Sequence, residues 1–245
     1  MILRSVLEAR AKLTKRALHF GLPAVLMLYA IFLSVHLSQP WVGVDGVSGA
    51  LWSTVARNIE HHGYAKTLLG QPANEVLPSD PREFRYYQNH PPLMAWSIAL
   101  IFRAAGEGEW QARFLPIVLS LGSLVLLFRL VRDWYGEKTA LFSSFVFSVL
   151  PMSAFFGRHV NFEPFAIFFI LAVVGLYQRW PAEHTARRFA ALTAVYVIAM
   201  LSDWPAYFLA GLLPFHHLLV WPRLGLSWAS PLISLSVLAV HLFYA

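Results

Sequence analysis

Long apolar runs separated by short polar stretches dominate the chain. Runs at residues 17–38, 113–131, 138–156, 162–178, 188–204, 206–221 and 228–245 lie near the length of about 20 residues that a membrane-crossing helix needs. They predict an all-α fold, a polytopic transmembrane bundle of about seven spans. Residues 39–112 carry a different pattern. There Val47, Ala50, Leu51, Val55 and Ile59 recur at near-helical spacing, with Arg57, Asn58 and Glu60 beside them. That spacing predicts an amphipathic helix lying in the membrane interface, ended by Gly63. Residues 70–89 hold Pro72, Pro78 and Pro81 and read as an ordered connector. The apolar stretch 91–105 is short for a span.

Composition agrees with lipid as the solvent. Of the 245 residues, 58% are hydrophobic and 13% charged, against about 45–50% and about 25% in soluble domains. The net charge of +6 sits at the ends of the apolar runs rather than in a basic stripe with exposed aromatics, which excludes nucleic acid as a partner. The absence of cysteine excludes disulfides and thiolate metal sites. The first apolar run is longer than the core of a cleaved signal, and no small-x-small site follows it, so it reads as a retained span.

Charge also sets the expected topology. Arg4, Arg10, Lys12, Lys15 and Arg16 place the arm 1–16 in the cytoplasm. If 91–105 stays on the outer side as a juxtamembrane or re-entrant helix, Arg129, Arg132, Lys138, Arg179, Arg187, Arg188 and Arg223 all face the cytoplasm. If it crosses, all seven face outward, against the positive-inside tendency. The first alternative is therefore expected. It makes residues 1–245 one membrane domain in a cell (inner or plasma) membrane: arm 1–16, first span 17–38, outer loop 39–112 with juxtamembrane helices, and the remaining spans in 113–245. It also gathers Asp45, Glu163 and Asp203 at one outer face, where ionisable residues are costly and usually functional.

Three strings carry candidate chemistry. Asp45 follows the first run in Trp41-Val-Gly-Val-Asp-Gly46. Tyr86-Tyr87-Gln88-Asn89-His90-Pro91-Pro92-Leu93 opens the short helix. Gly157-Arg158-His159-Val160-Asn161-Phe162-Glu163-Pro164 forms a polar turn. Each alone also fits a structural role: a helix cap, an interfacial aromatic belt, and a solvated hairpin with an Arg158–Glu163 pair.

Together, with Glu109-Trp-x-x-Arg113-Phe-Leu-Pro116 between them, they resemble the GT-C glycosyltransferases, in particular the bacterial members similar to protein O-mannosyltransferases and to the lipid A aminoarabinose transferase. The resemblance spans residues 43–204. It implies an inverting, integral-membrane glycosyltransferase that moves a sugar from a polyprenyl-phosphate carrier to a lipid or protein acceptor on the outer side. Asp45 matches the presumed general base and Glu163 the second-loop acid. Arg158 and Arg113 match basic positions suited to the carrier phosphate, and His90, Tyr87 and Arg85 join them as candidate substrate-binding residues, with Arg82 a further outer arginine. Some relatives carry a second acid where Gly46 stands. Others place a metal-binding acid near Asn89 and His90, so a divalent metal, with those two as candidate ligands, is the only cofactor in view. The family usually continues beyond this length, so the chain is expected to be truncated at its C-terminal side.

Two other classes stay open. A lipid-linked-sugar transporter or flippase would show repeats and midplane polar groups, whereas the charges here lie at the outer boundary. An inactive fragment or assembly subunit would tolerate loss of Asp45, Glu163 and Arg158 together. His61 and His62 read as solvated, and His216 and His217 as packing residues. Trp41, Trp134, Trp180 and Trp221 read as interface anchors.

Overall fold

The structure is a computed structural model that describes residues 20–76, 78–180, 185–220, 233–234 and 236–238, with the side chains of Val44 and Asp45 outside that description. Helix α1 is Phe20–Ser34. It is followed by α2 (Gly43–His62), α3 (Leu93–Ala105), α4 (Glu109–Tyr135), α5 (Glu137–Val149), α6 (Pro151–Gly157), α7 (Glu163–Arg179), α8 (Ala186–Ser202) and α9 (Leu209–Val220), with 3-10 turns at Pro81–Glu83 and Trp204–Phe208. Among the described residues, β pairing is confined to one bridge, Pro72 with Tyr86. The all-α expectation holds.

The amphipathic pattern of 47–59 becomes the middle of α2, and Gly63 ends it as the C-cap with φ +80°. The apolar stripe divides: Val47, 64% exposed, and Ala50 stay outward, and the rest turns inward. Trp52, Val55, Ala56 and Ile59 pack against Met94, Ala95, Ile98, Ala99 and Phe102 of α3, all buried. Full burial of such side chains from water is worth about 1.5–3 kcal/mol each, which explains why two short helices hold together as a layer. Pro92 opens α3, where a proline costs no helical hydrogen bond. Ala112 and Leu119 of α4 and Phe162 and Phe165 beside and on α7 complete this core.

Helix α4 is the centre of the bundle. It runs beside α7 in the same direction: a Cβ on Gly122 would meet the Phe168 ring at 2.6 Å, and Arg179 pairs with Asp133 at 3.5 Å further along. Short connections make α5 antiparallel to α4 and α8 antiparallel to α7. Val25, Tyr29 and Leu33 of α1 pack on Leu124 of α4, with Leu141 and Phe147 of α5 alongside.

Several expected spans change. The run 138–156 is broken, with α5 and α6 meeting at 68°. Pro151 removes a helical N–H, and Leu150 before it is extended at φ −63°, ψ 125°. The run 206–221 begins as a 3-10 turn, and its helix α9 has 12 residues. The run 228–245 lies mostly outside the described residues, as do the arm 1–16 and Trp221. Among the described residues, α4, at 27 residues, is the one helix long and apolar enough to cross a membrane alone. The bent α5–α6 pair makes a second if it is one span.

Candidate functional site

The directions of the helices bring one set of termini together. The end of α1, the starts of α2 and α4, the α6–α7 turn and the end of α8 share one end of the bundle. Asp133, Arg132 and Arg179 mark the other.

At the shared end, Arg113 and Arg158 line one cavity of about 130 Å³ with Trp41, Gly46 and His159. Arg113 Nη1 donates to the carbonyls of Leu37 at 2.7 Å and Gln39 at 2.8 Å. Its guanidinium lies over the Trp41 ring, 4.0 Å from the centroid. Arg158 Nη1 donates to the carbonyl of Val35. Both arginines thereby clamp the chain as it leaves α1; neither forms a close ion pair among the described residues, and Glu109, one turn before Arg113 on α4, acts on its charge. Trp41 in turn lies along α2. A Cβ at Gly46 would stand 2.8 Å from the Trp41 backbone and one at Gly49 2.2 Å from its ring. Gly46 is thus required by the close approach of Trp41. Trp41 is a platform for Arg113. The first turn of α2 has no side-chain cap, so its free N–H groups add to the anion-favouring character of the corner. The backbone places Asp45 in this turn, next to Gly46, and its side chain is outside the described residues.

Glu163 opens α7. Its Oε1 accepts from Asn161 Nδ2 at 3.1 Å. Its Oε2 is buried without a partner. It lines an apolar cavity of about 340 Å³ with Tyr29, Ser120, Ser153 and Gly157. Tyr29 bonds Ser153, 2.9 Å between hydroxyl oxygens, and Ser120 donates to Gly157 O at 2.8 Å. The Arg158–Glu163 pair of a simple hairpin does not form: Arg158 goes to α1 and Glu163 to Asn161.

His90 stands in a third group. Its ring stacks on Phe162 at 4.2 Å between centroids and lies parallel to Tyr87 at 5.9 Å. Nδ1 is 2.7 Å from the Tyr87 hydroxyl, and Nε2 is 3.9 Å from Asp203 Oδ1. Trp52 meets both Tyr87 and Phe162 edge-on at 4.9 Å. Asp203 accepts from the Trp204 N–H at 2.8 Å, and the Trp204 indole donates to Asn89 O at 2.8 Å. Burial raises the Asp203 carboxyl above its ordinary range, while the Trp204 N–H and His90 pull it back. Burial likewise raises the Tyr87 phenol.

The structure thus brings Arg113, Arg158, Glu163, His90, Tyr87 and Asp203 to one end around the turn 158–162. It does not bring Arg85 or Arg82 there. The Arg85 side chain is exposed while its backbone binds Asn74, and Arg82 lies beside Asp80. Among the described residues, His90 is outside the cluster of His, Asp and Glu ligand atoms. Among the described residues, the group with cation-holding geometry is Glu60, His61 and Glu107, whose ligand atoms lie within 4.8 Å of one another. His61 is therefore not simply solvated: its Nε2 is 2.8 Å from Glu107 Oε1. His62 packs edge-on against Phe84, and His216 bonds the Tyr177 hydroxyl at 2.9 Å. Trp180 is buried rather than interfacial. Trp41, Asn161 and Phe162 were missed as site residues, and only the i, i+3 glycines at 46 and 49 hinted at the Trp41 seat.

The model of the dolichyl-phosphate-mannose-protein mannosyltransferase family matches residues 89–245, well over half of the chain. The chain belongs to this family. Two solved structures share its fold: ArnT from Cupriavidus metallidurans bound to undecaprenyl phosphate, and the same protein in the apo state. Both match at TM-score 0.64 and 18% identity. They cover 91% and 94% of this chain, and the chain spans 40% and 42% of theirs. No curated protein matches it. The region matched by the family model includes His90, Arg113, Arg158, Glu163 and Asp203, while Asp45 and Trp41 lie ahead of it.

Proposed function

We propose that this chain is the active-site portion of an integral-membrane, inverting glycosyltransferase that takes a sugar from a polyprenyl-phosphate carrier and transfers it on the outer side of the membrane. The observation that carries the reading is the cavity lined by Arg113 and Arg158, neither of them in a close ion pair among the described residues, at the uncapped start of α2. A guanidinium binds phosphate through two parallel N–H groups. Each arginine has spent one nitrogen on anchoring and keeps the rest of its fork.

In the step, the acceptor hydroxyl or amine attacks the anomeric carbon and its proton passes to the Asp45 carboxylate. The bond from the anomeric carbon to the phosphate oxygen breaks, and the carrier leaves as a phosphate held by Arg113 and Arg158. Base catalysis of this kind supplies about 10²–10⁴-fold, so stabilisation of the leaving phosphate supplies much of the remainder. Glu163 and Asn161 shape the neighbouring wall, and the His90–Asp203 contact fixes the α8 end against the loop that holds Tyr87.

If a divalent cation is used, Glu60, His61 and Glu107 are the fitting ligands, two carboxylates and an imidazole. They join α2 to the α3–α4 turn, so the cation would serve structure there.

The test uses the full protein in nanodiscs with dolichyl-phosphate mannose and undecaprenyl phosphate. Asp45→Asn is expected to keep undecaprenyl phosphate binding and lose sugar release from the donor. Full release by the Asp45→Asn protein would overturn the assignment of the base. Unchanged carrier binding in an Arg113→Ala, Arg158→Ala double variant would overturn the phosphate site.

A further inference from the structure

The turn that follows α2 is a rigid projection. Thr67 N–H donates to Gly63 O at 3.2 Å, Leu69 N–H to Tyr64 O at 3.0 Å and Gly70 N–H to Thr67 O at 2.8 Å. The hydroxyl of the fully buried Thr67 donates to Gly63 O at 3.1 Å. The Trp96 indole donates to Leu69 O at 3.1 Å and ties the turn to α3. Leu68 and Leu69 are both left-handed, at φ 51° and 58°, a region that side chains other than glycine avoid. Such backbone persists only where its surroundings over-determine it. Its effect here is to turn two adjacent leucines outward, 80% and 55% exposed.

Helix α3 continues the same surface. It buries Met94, Ala95, Ile98, Ala99 and Phe102, which leaves Trp96, Leu100 and Arg103 at i, i+4 and i+7 along its other side. Leu100 is 61% exposed, Arg103 is exposed and Trp96 is half-buried. Tyr64 links turn and helix, its hydroxyl donating to Trp96 O at 2.8 Å. An exposed lysine, Lys66, stands just before the two leucines. The patch is therefore three leucines and an indole, with a cation at each of two borders.

Three observations select what covers it. Leucines beside an indole, rimmed by lysine and arginine, match a lipid leaflet: acyl chains for the leucines, headgroup level for the indole, phosphates for the cations. The depth agrees. α3 ends at Ala105, and α4, which is long and apolar enough to cross a membrane alone, begins at Glu109. Trp110 and Phe114 in its first turns are 42% and 50% exposed, so the patch lies next to the lipid-facing start of a span. The other tip of the same loop is polar instead, with Ser79, Asp80 and Arg82 exposed. One tip suits lipid and the other water.

We propose that the Leu68–Leu69 turn and the open side of α3 form a wedge seated in the leaflet on their own side of the membrane, with Lys66 and Arg103 at the lipid phosphates. The proposal rests on the membrane location of the chain and not on the transferase reading. The wedge is coupled to the candidate site, because Gln71, two residues past Leu69, donates from Nε2 to His90 O at 2.7 Å. The leaflet thereby helps to hold the segment that carries His90.

The chain lacks cysteine, so Leu68→Cys, Leu100→Cys and Ser79→Cys, each introduced singly into the full protein, take one nitroxide apiece. All three positions are exposed, so the label fits the fold. The proteins are placed in nanodiscs of phosphatidylethanolamine and phosphatidylglycerol. Collision with oxygen, which concentrates among acyl chains, is compared with collision with a water-soluble nickel chelate. Oxygen is expected to exceed the chelate severalfold at 68 and 100, with the order reversed at 79. Chelate collision dominating at 68 or at 100 would mean a water-facing turn or helix and would overturn the wedge. Immobilised labels shielded from both reagents would mean that protein covers the patch, another part of the chain or a partner, and would overturn it equally. Sugar release from the donor is measured on the same samples, and its loss or retention bears on the transferase reading alone.

Discussion

Arginines at the two ends of the bundle are used in opposite ways. At the far end Arg132 and Arg179 reach the same carboxylate, Asp133, at 3.2 and 3.5 Å, all of them substantially exposed. At the near end Arg113 and Arg158 turn inward to backbone carbonyls and an aromatic ring, with no close ion pair among the described residues and Glu109 one turn from Arg113. The first arrangement neutralises surface charge and is worth little. The second holds two guanidinium groups in place at a cavity. A cation fixed by neutral partners is ready for an anion from outside the chain, and a cation fixed by its own carboxylate is not.

The comparison breaks outright if the two ends do not lie on opposite sides of the membrane. In a chain without cysteine, single cysteines at Ser79 and Asn161 are expected to label from outside intact cells, and one at Lys138 to stay protected. Labelling at 138 with protection at 161 would invert the topology.

The next largest effect is on stability. Trp52 is 3% exposed and ties α2 to Tyr87 and Phe162. Trp52→Ala is expected to cost about 3–5 kcal/mol in thermal or denaturant unfolding and to disable the near end while the Arg179–Asp133 pair survives. Carrier binding sharpens the contrast between the arginines. Arg158→Ala is expected to cost about 1.5–3 kcal/mol of undecaprenyl phosphate affinity, the worth of a charged hydrogen bond. Arg132→Ala is expected to leave that affinity unchanged.

A smaller effect concerns pH. The buried Asp203 carboxyl binds its proton more tightly folded than unfolded, so stability falls as pH rises from the ordinary carboxylate value of 3.8 through the raised one. Melting curves taken upward from the ordinary carboxylate value of 3.8 should show this slope, and Asp203→Asn should flatten it. The smallest effect is Asp133→Ala, expected to cost less than about 1 kcal/mol because its partners are exposed.

Much of this was legible in the chain. The spacing of Val47, Ala50, Val55 and Ile59 specified α2, and Gly63 its end, because amphipathic periodicity and a C-terminal glycine are local signals. The strings around His90 and Glu163, with Arg113, carried the family resemblance. The break at Pro151 was visible as a residue but not weighed against the apolar run around it. Which part of the α2 stripe would be covered was not legible. Its apolar stripe suits lipid or a partner helix equally well, and only the placement of α3 decides between them. The His61–Glu107 contact and the separation of Arg158 from Glu163 join residues that the sequence gives no reason to pair.

What the sequence determined by itself is the solvent, the helical class and the family, since these follow from apolar length, periodicity and motif order. What the tertiary structure decided is which polar groups remain unspent. Arg113 and Arg158 are ordinary residues in the chain. They become candidates for ligand binding because packing directs them to the carbonyls of Leu37, Gln39 and Val35 and holds them at one cavity wall, and that depends on distances between segments far apart in sequence.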